Sequence, residues 1–224
     1  MSFKVVVTEV TIYNRSQRCV AGFDLERAVM IRPEPKAGAF WEAKFCGANT
    51  TFHPGHLLEF DGVRPETKLP HNTEDIVVRG KVRELSKLEG EAFRQVLRRA
   101  EALSPEKVFG KDLKFDGGKA YVPPGAHCGS LSGLSIDAAR IRLVDQIYKE
   151  DHKLRAELAL DGHRLNLSVG AKDFRQAFDK QGLAGASALL PKRGLAHVRL
   201  GLARAWDVTP DRCYLQVNGI YALQ

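Results

Sequence analysis

The sequence predicts a mainly β protein with a few helices, built from two small β-barrels in tandem. Three observations support this class: short strand-like segments recur along the 224 residues, Asp161-Gly162 is a strong signal for a two-residue hairpin turn, and a Gly/Pro-rich stretch separates two sets of strands. The predicted units are a first barrel with a following helix (1–103), a connection (104–135) and a second barrel (136–224).

The first half contains five strand-like segments with no helical period between them. Residues 3–12 are β-branched and aromatic, which is typical of a buried strand. Pro33 and Pro35 are expected to end the third segment, because proline has no N–H for a sheet ladder. The five predicted strands are 3–12, 18–24, 28–32, 57–63 and 76–85, and residues 87–103 carry apolar side chains at helical spacing.

The second half has the clearest pattern. Leu154, Ala156, Leu158 and Leu160 alternate with polar or small residues, and the alternation continues after the turn. A helix is predicted over 171–181, with Gly182 as its stop, and the remaining strands are predicted at 140–148, 196–203 and 213–221. The order strand, strand, strand, helix, strand, strand is that of an OB-fold, a five-stranded Greek-key barrel.

Composition and charge limit the classes of partner. With 44% apolar and 27% charged residues, the chain is neither disordered nor collagen-like. The net charge of +7 favours anionic partners, with nucleic acid first and acidic lipid second. The sequence has no apolar run of the ~18 to 20 residues that a membrane helix requires, and cytoplasm is the expected location.

Sequence motifs exclude several kinds of chemistry. The sequence contains no GxxxxGK[ST], GxGxxG, HExxH or GxSxG, which disfavours P-loop hydrolysis and Rossmann-type redox chemistry, and no cofactor is predicted. The four cysteines lie far apart without a CxxC pair, so we expect reduced thiols instead of a disulfide framework.

A basic outward face is predicted on the second barrel. Alternation places apolar residues inside and sends six cations and one carboxylate outward. Such a face can hold phosphates, and arginine can also stack on bases; the alternative is a face that only solubilises the protein. The predicted nucleic-acid contacts are Arg140, Arg142, Lys153, Arg155, Arg164, Asn166 and Arg199, with Trp206 for stacking and Arg18 and Arg32 from the first half.

Four short motifs, in this order and spacing, carry a family resemblance. They are RCVAGFD (18–24), MIRP (30–33), HNTED (71–75) and NGIY (218–221). Through them the chain resembles the bacterial dual-OB-domain proteins, whose sequences run through an arginine-rich turn, a CxAG strand, an IRP strand end and a late GIY strand. The resemblance covers nearly the whole chain and implies two OB-like barrels with a role in nucleic-acid binding or modification. It implies no catalytic residue.

Catalytic and metal sites have only weak candidates. His71 and Asp75, with Glu74 between them and the strand, could move protons, although the same residues also fit a polar loop. Zinc ligands could come from Cys46, His53 and His56, but their spacing matches no familiar finger, and no metal is predicted.

Three hypotheses for function follow. The first is binding of single-stranded DNA or RNA through basic outward faces. The second is an enzyme acting on nucleic acid or nucleotides at a first-barrel site near Arg18, Asp24, Arg32, His71 and Asp75, and the third is a protein-interaction module. A cleft that gathers Arg32, His71 and Asp75 would favour the enzyme, a continuous basic groove would favour binding, and dispersed cations would favour the third.

Overall fold

The computed structural model describes residues 1–67, 69–101 and 103–223 and contains two main β-sheets, one from each half of the chain. The predicted class, a mainly β protein with two tandem OB-like barrels, is confirmed. Each barrel encloses its own apolar core, and a third apolar cluster lies between the outer side of the first barrel, a helix and Leu131.

The first sheet closes on itself. Strand β1 pairs with both β2 and β5, and β3 runs parallel to β6, so five strands form a ring. Its strands are β1 (Ser2–Ile12), β2 (Gln17–Asp24), β3 (Val29–Glu34), β4 (Trp41–Glu42), β5 (His56–Val63) and β6 (Asp75–Lys87). A loop with β4 and a 3-10 turn stands between β3 and β5, where an OB-fold often has a helix.

One predicted strand end is wrong. Strand β3 continues through Pro33 to Glu34, where it pairs in parallel with β6. Pro33 lies opposite Ile76, and the flanking Arg32 N–H donates to the carbonyl oxygen of Glu74 at 2.8 Å. The ladder therefore tolerates the proline at the end of its pairing, as strand ends usually do.

The second sheet follows the order β10-β11-β12-β14-β13-β9. Strands β9 and β10 are separated only by a short 3-10 turn at Ala138–Arg140, and they act as two halves of one OB strand: β9 pairs with β13 and β10 with β11. The strands are β7 (Lys114–Asp116), β8 (Lys119–Val122), β9 (Leu131–Asp137), β10 (Arg142–Tyr148), β11 (Asp151–Leu160), β12 (His163–Val169), β13 (Leu195–Leu202) and β14 (Cys213–Ala222).

The segment predicted as a connection, 104–135, carries regular structure. Within it β8 pairs with β14, and β9, which begins there, pairs with β13. These residues therefore extend the second sheet, while the placement of the domain boundary stays a prediction.

Three helices complete the fold: α1 (Gly90–Ala100), α2 (Pro105–Val108) and α3 (Lys172–Ser187). Gly182, predicted to end α3, adopts φ 62° and breaks the helical path, but helical turns resume and continue to Ser187. None of the helices in the described part of the chain combines the length and apolar character that crossing a bilayer requires.

The two barrels pack against each other along β1 and β14. The Ile12 N–H donates to the Gly170 carbonyl at 2.9 Å, and the Tyr221 hydroxyl donates to the Thr8 carbonyl at 2.6 Å. Consequently, some side chains that point away from one barrel's core are covered by the other barrel.

Candidate functional site

Four cations share the outward side of β10, β11 and β12, and we call this surface the basic face: Arg142, Lys153, Arg155 and Arg164. The alternate residues Leu154, Ala156 and Leu158 are buried in the core, as the sequence pattern predicts. In the register, Ala159 lies opposite Arg164 and Arg155 opposite Ser168, so these cations occupy neighbouring strands.

The cations of the basic face are tethered by weak surface contacts. Arg142 donates to Glu157 through Nε at 2.8 Å and Nη2 at 2.6 Å, and Lys153 lies 3.2 Å from Asp151. Arg155 donates to the Asn166 side chain at 2.8 Å, which also explains the half-buried state of Asn166. Exposed ion pairs contribute only about 0 to 1 kcal/mol, so these arginines can exchange their partners for phosphates at little cost.

Two further residues extend the basic face. Arg140 is exposed on the 3-10 turn just before β10. Tyr148 lies at the far end of β10, on the same side as Arg142 by alternation, and is 67% exposed. An exposed tyrosine among cations is a natural stacking platform for a base. Sequence reasoning missed Tyr148, although the same alternation would have found it.

Arg199 is the clearest correction to the predicted face. It points away from the second barrel's core, but the first barrel covers it, and its exposed fraction is 0%. Its Nη2 lies 3.3 Å from Oε1 of Glu9 on β1. Arg199 therefore belongs to the contact between the barrels and not to an exposed basic face.

Arg18 and Asp24 are buried and serve turns. Arg18 Nη1 donates to the carbonyls of Asn14, at 2.7 Å, and Gln17, at 2.9 Å, and so closes the β1–β2 hairpin. Asp24 accepts the N–H groups of Glu26 and Arg27 in the β2–β3 turn. These contacts account for both residues structurally.

A cavity of about 250 Å³ opens between the barrels, and we call it the interbarrel cleft. Strands β1, β2 and β3 form one side, and the other side comes from β13, β14 and the loop between them. Trp206, predicted to stack on bases, is 66% exposed and lies at this cleft. The polar and aromatic lining includes Glu9, Tyr13, Arg32, Glu34, Phe40, His71, Arg204, Trp206 and Asn218.

The cleft gathers the first-half cluster that the motifs suggested. Arg32 Nη1 lies 2.6 Å from Oδ1 of Asp75, because the parallel register of β3 and β6 sets these residues side by side. The same nitrogen donates to the His71 carbonyl, and Nη2 donates to Ser130 Oγ at 2.8 Å. Arg32 thus joins both barrels and has its donors occupied, so it is not a free phosphate contact.

The chemistry of His71 is limited by its surroundings. Burial, together with the positive charges of Arg204 and Arg32, lowers the pKa of His71 to about 4. The imidazole is neutral near pH 7, and its Nδ1 lies 3.7 Å from the Cys213 sulfur. His71 is therefore not a proton donor at neutral pH.

Glu34 is a cleft residue that sequence reasoning missed. Burial and the neighbouring Asp75 carboxylate raise the pKa of Glu34 to about 7, and Gly38 N–H donates to its Oε2 at 2.8 Å. A carboxyl group that titrates near neutral pH in a cleft is a frequent mark of a functional site. The signal in the sequence was a carboxylate at the end of the IRP strand.

The raised pKa of Glu34 predicts a pH dependence of stability. The protonated form is favoured in the folded state, so the stability that it contributes is full below about pH 4.5 and is lost as the pH rises through about 7. Glu34→Gln removes this titration. We expect the variant to gain on the parent by on the order of 2 kcal/mol between pH 5 and pH 8, measured by urea unfolding. A pH-independent difference between the two proteins would contradict the assignment.

The residues considered for zinc do not converge on a site. The rings of His53 and His56 lie 5.4 Å apart, and Cys46 is a buried free thiol. Within residues 1–67, 69–101 and 103–223, no group of three or more His, Cys, Asp or Glu side chains is placed to hold a metal ion.

Two barrels of OB topology, joined along β1 and β14 with a cleft between them, define the molecule as a tandem OB-fold protein. The sequence profile of the dual OB-containing domain matches residues 4–220, and the chain belongs to that family. No curated protein and no solved structure matches the chain significantly.

Proposed function

We propose that the protein binds single-stranded nucleic acid along the basic face. The observation that carries this proposal is that Arg142, Lys153, Arg155 and Arg164 share the outward side of three adjacent strands of the second barrel. In OB-folds the surface around the second and third strands is the usual ligand-binding face, and β11 and β12 are those strands here. The clustering also disfavours cations that only solubilise the protein.

Single strands fit this face better than a duplex. A single strand exposes its bases, and Tyr148 stands beside the cations to stack on one of them. The interactions that this face offers are charge and stacking, which tolerate different sequences. We therefore expect affinity that depends strongly on salt and weakly on sequence.

The test is a salt titration of oligonucleotide binding with a triple variant. Changing Arg142, Arg155 and Arg164 together to Gln should weaken binding of a single-stranded oligonucleotide by roughly 2 to 4 kcal/mol, at about 1 kcal/mol per charged contact. The slope of log K against log salt should flatten by about 0.7 for each phosphate that the variant no longer neutralises. Stability should change by about 0.5 kcal/mol or less per site, because these positions lie at the surface.

A matched control removes the same charge elsewhere. Arg79, Lys81 and Lys87 are exposed cations on β6 of the first barrel, and changing all three to Gln should leave most of the affinity intact. If both triple variants lose affinity equally, binding follows net charge and not the basic face. Parent-like affinity and salt slope in the Arg142/Arg155/Arg164 variant would reject the proposal.

A second candidate function is chemistry on nucleic acid or nucleotides in the interbarrel cleft. The specific observation that favours it is Glu34, whose carboxyl has a pKa of about 7 beside the Arg32–Asp75 pair. Mass spectrometry of oligonucleotides and nucleotides after incubation would reveal a product, which Glu34→Gln should abolish. If the substrates are recovered unchanged, this candidate fails.

A further inference from the structure

Two buried oxygen atoms of the interbarrel cleft lack hydrogen-bond donors. Glu9 and Asn218 line the cleft and are 1% and 6% exposed. Among the described residues, neither Glu9 Oε2 nor Asn218 Oδ1 has a hydrogen-bond partner. Buried polar atoms are nearly always satisfied, so an unpaired pair of acceptors in a cavity points to a ligand that brings donors.

The surrounding chain holds both side chains in place. Oε1 of Glu9 is engaged by Arg199 at 3.3 Å, which leaves the other oxygen available. A Cβ at Gly201 would lie 2.3 Å from Asn218 Nδ2, so only glycine leaves room for the amide there. The nitrogen of Asn218 is thus packed against β13, while its oxygen remains unpaired.

The rim of the same cleft is aromatic. The rings of Tyr13 and Phe40 stack with centroids 3.9 Å apart, and the Arg204 guanidinium lies 5.3 Å from the Phe40 centroid. Trp206 adds a largely exposed indole. Aromatic faces beside a polar floor suit a flat heterocycle that enters edge first and leaves its polar substituents at the rim.

The geometry points to a binding site for the guanine base of a nucleotide, with Glu9 and Asn218 accepting its N–H donors. Guanine carries two adjacent donors on one edge, N1–H and the N2 amino group, whereas adenine offers only its N6 amino group there. The volume of about 250 Å³ is below the ~300 to 1,000 Å³ of pockets for drug-sized ligands, and so it suits a single base. A cationic ligand is disfavoured because Arg32 and Arg204 already line the cleft.

This site is separate from the basic face, and its ligand chemistry has two sources. The base could belong to a free nucleotide or to one guanosine within a single strand, with the phosphate near Arg204 in either case. Guanine binding in the cleft does not depend on binding at β10–β12, so each can fail without the other.

Calorimetric titration with guanosine, inosine and adenosine 5′-monophosphates tests the free-nucleotide source. We expect the affinity to fall in that order, since inosine lacks the N2 amino donor and adenosine lacks both guanine donors. Glu9→Gln should weaken guanosine monophosphate binding at least tenfold and remove its advantage over inosine monophosphate. Glu66→Gln, an exposed carboxylate change, is the matched control and should bind like the parent.

A second variant protects the test against a folding defect in Glu9→Gln. Trp206→Ala alters a residue that is 66% exposed, and it should weaken all three nucleotides by a similar factor while keeping their order. The strand source is tested by fluorescence anisotropy with a ten-thymidine strand and the same strand carrying one central guanosine. A gain from the guanosine in the parent, absent in Glu9→Gln, supports that source.

The guanine site is rejected if neither source shows a preference for guanine in the parent protein, or if Glu9→Gln and Trp206→Ala both bind as the parent does. The Arg142/Arg155/Arg164 variant separates this result from the proposed function. That variant should lose affinity for the all-thymidine strand and keep its affinity for guanosine monophosphate.

Discussion

Replacing Arg199 with alanine is expected to lower the free energy of unfolding by about 3 to 5 kcal/mol, because removal of one partner leaves an uncompensated buried charge. Arg199 is fully buried between the barrels, and its partner Glu9 is 1% exposed. Burial already raises the pKa of Glu9, while the Arg199 charge opposes that rise. In the variant the pKa of Glu9 rises further, so the loss should be smaller at pH 5 than at pH 8.

Urea unfolding of three proteins measures this effect. The double variant Glu9→Gln with Arg199→Met removes both charges and keeps most of the volume, so it should recover most of the missing stability. A loss below about 1 kcal/mol in Arg199→Ala, the range of an exposed ion pair, would show that Arg199 is solvated and the barrels are not packed as described.

Replacing Arg32 with alanine is expected to cost a similar amount, about 3 to 5 kcal/mol, for a different set of contacts. Its guanidinium serves Asp75, the His71 carbonyl and Ser130 Oγ, and Asp75 is 1% exposed. Arg32→Lys should rescue little, because one ammonium group cannot reproduce the planar fork that reaches three partners.

The matched control for Arg32 is Arg83→Ala. Arg83 pairs with Glu59 on the surface, with 70% of its side chain exposed, and its removal should cost about 1 kcal/mol or less. Thermal or urea unfolding compares the two variants directly. Equal, small losses would contradict the role of Arg32 as the link between β3, β6 and Ser130.

The second barrel was predictable because its alternation has a strict period of two. Leu158 and Leu167 are buried, and Arg142 and Arg164 lie on the opposite side of the sheet, as that period requires. The pattern says which side of a strand faces its own core. It carries no information on whether a second barrel covers the other side, which is why Arg199 was assigned to an exposed face.

The cleft was predictable only in part. The motifs brought Arg32 and Asp75 together as a hypothesis, and the parallel register of β3 and β6 is the physical reason. Glu9 was missed, although a carboxylate inside the apolar run FKVVVTEV is a detectable signal of a buried polar site. Asn218 was noted only as part of a family motif, because its unpaired oxygen appears only when two barrels meet.

Photo-crosslinking of a single-stranded oligonucleotide, followed by mass spectrometry, tests most directly whether the basic face binds nucleic acid. With a photoreactive pyrimidine at successive positions, we expect crosslinks within β10, β11 and β12, including Tyr148, and their disappearance in the Arg142/Arg155/Arg164 variant. Crosslinks confined to β5 and β6 of the first barrel, with an unchanged pattern in that variant, would contradict binding at the basic face.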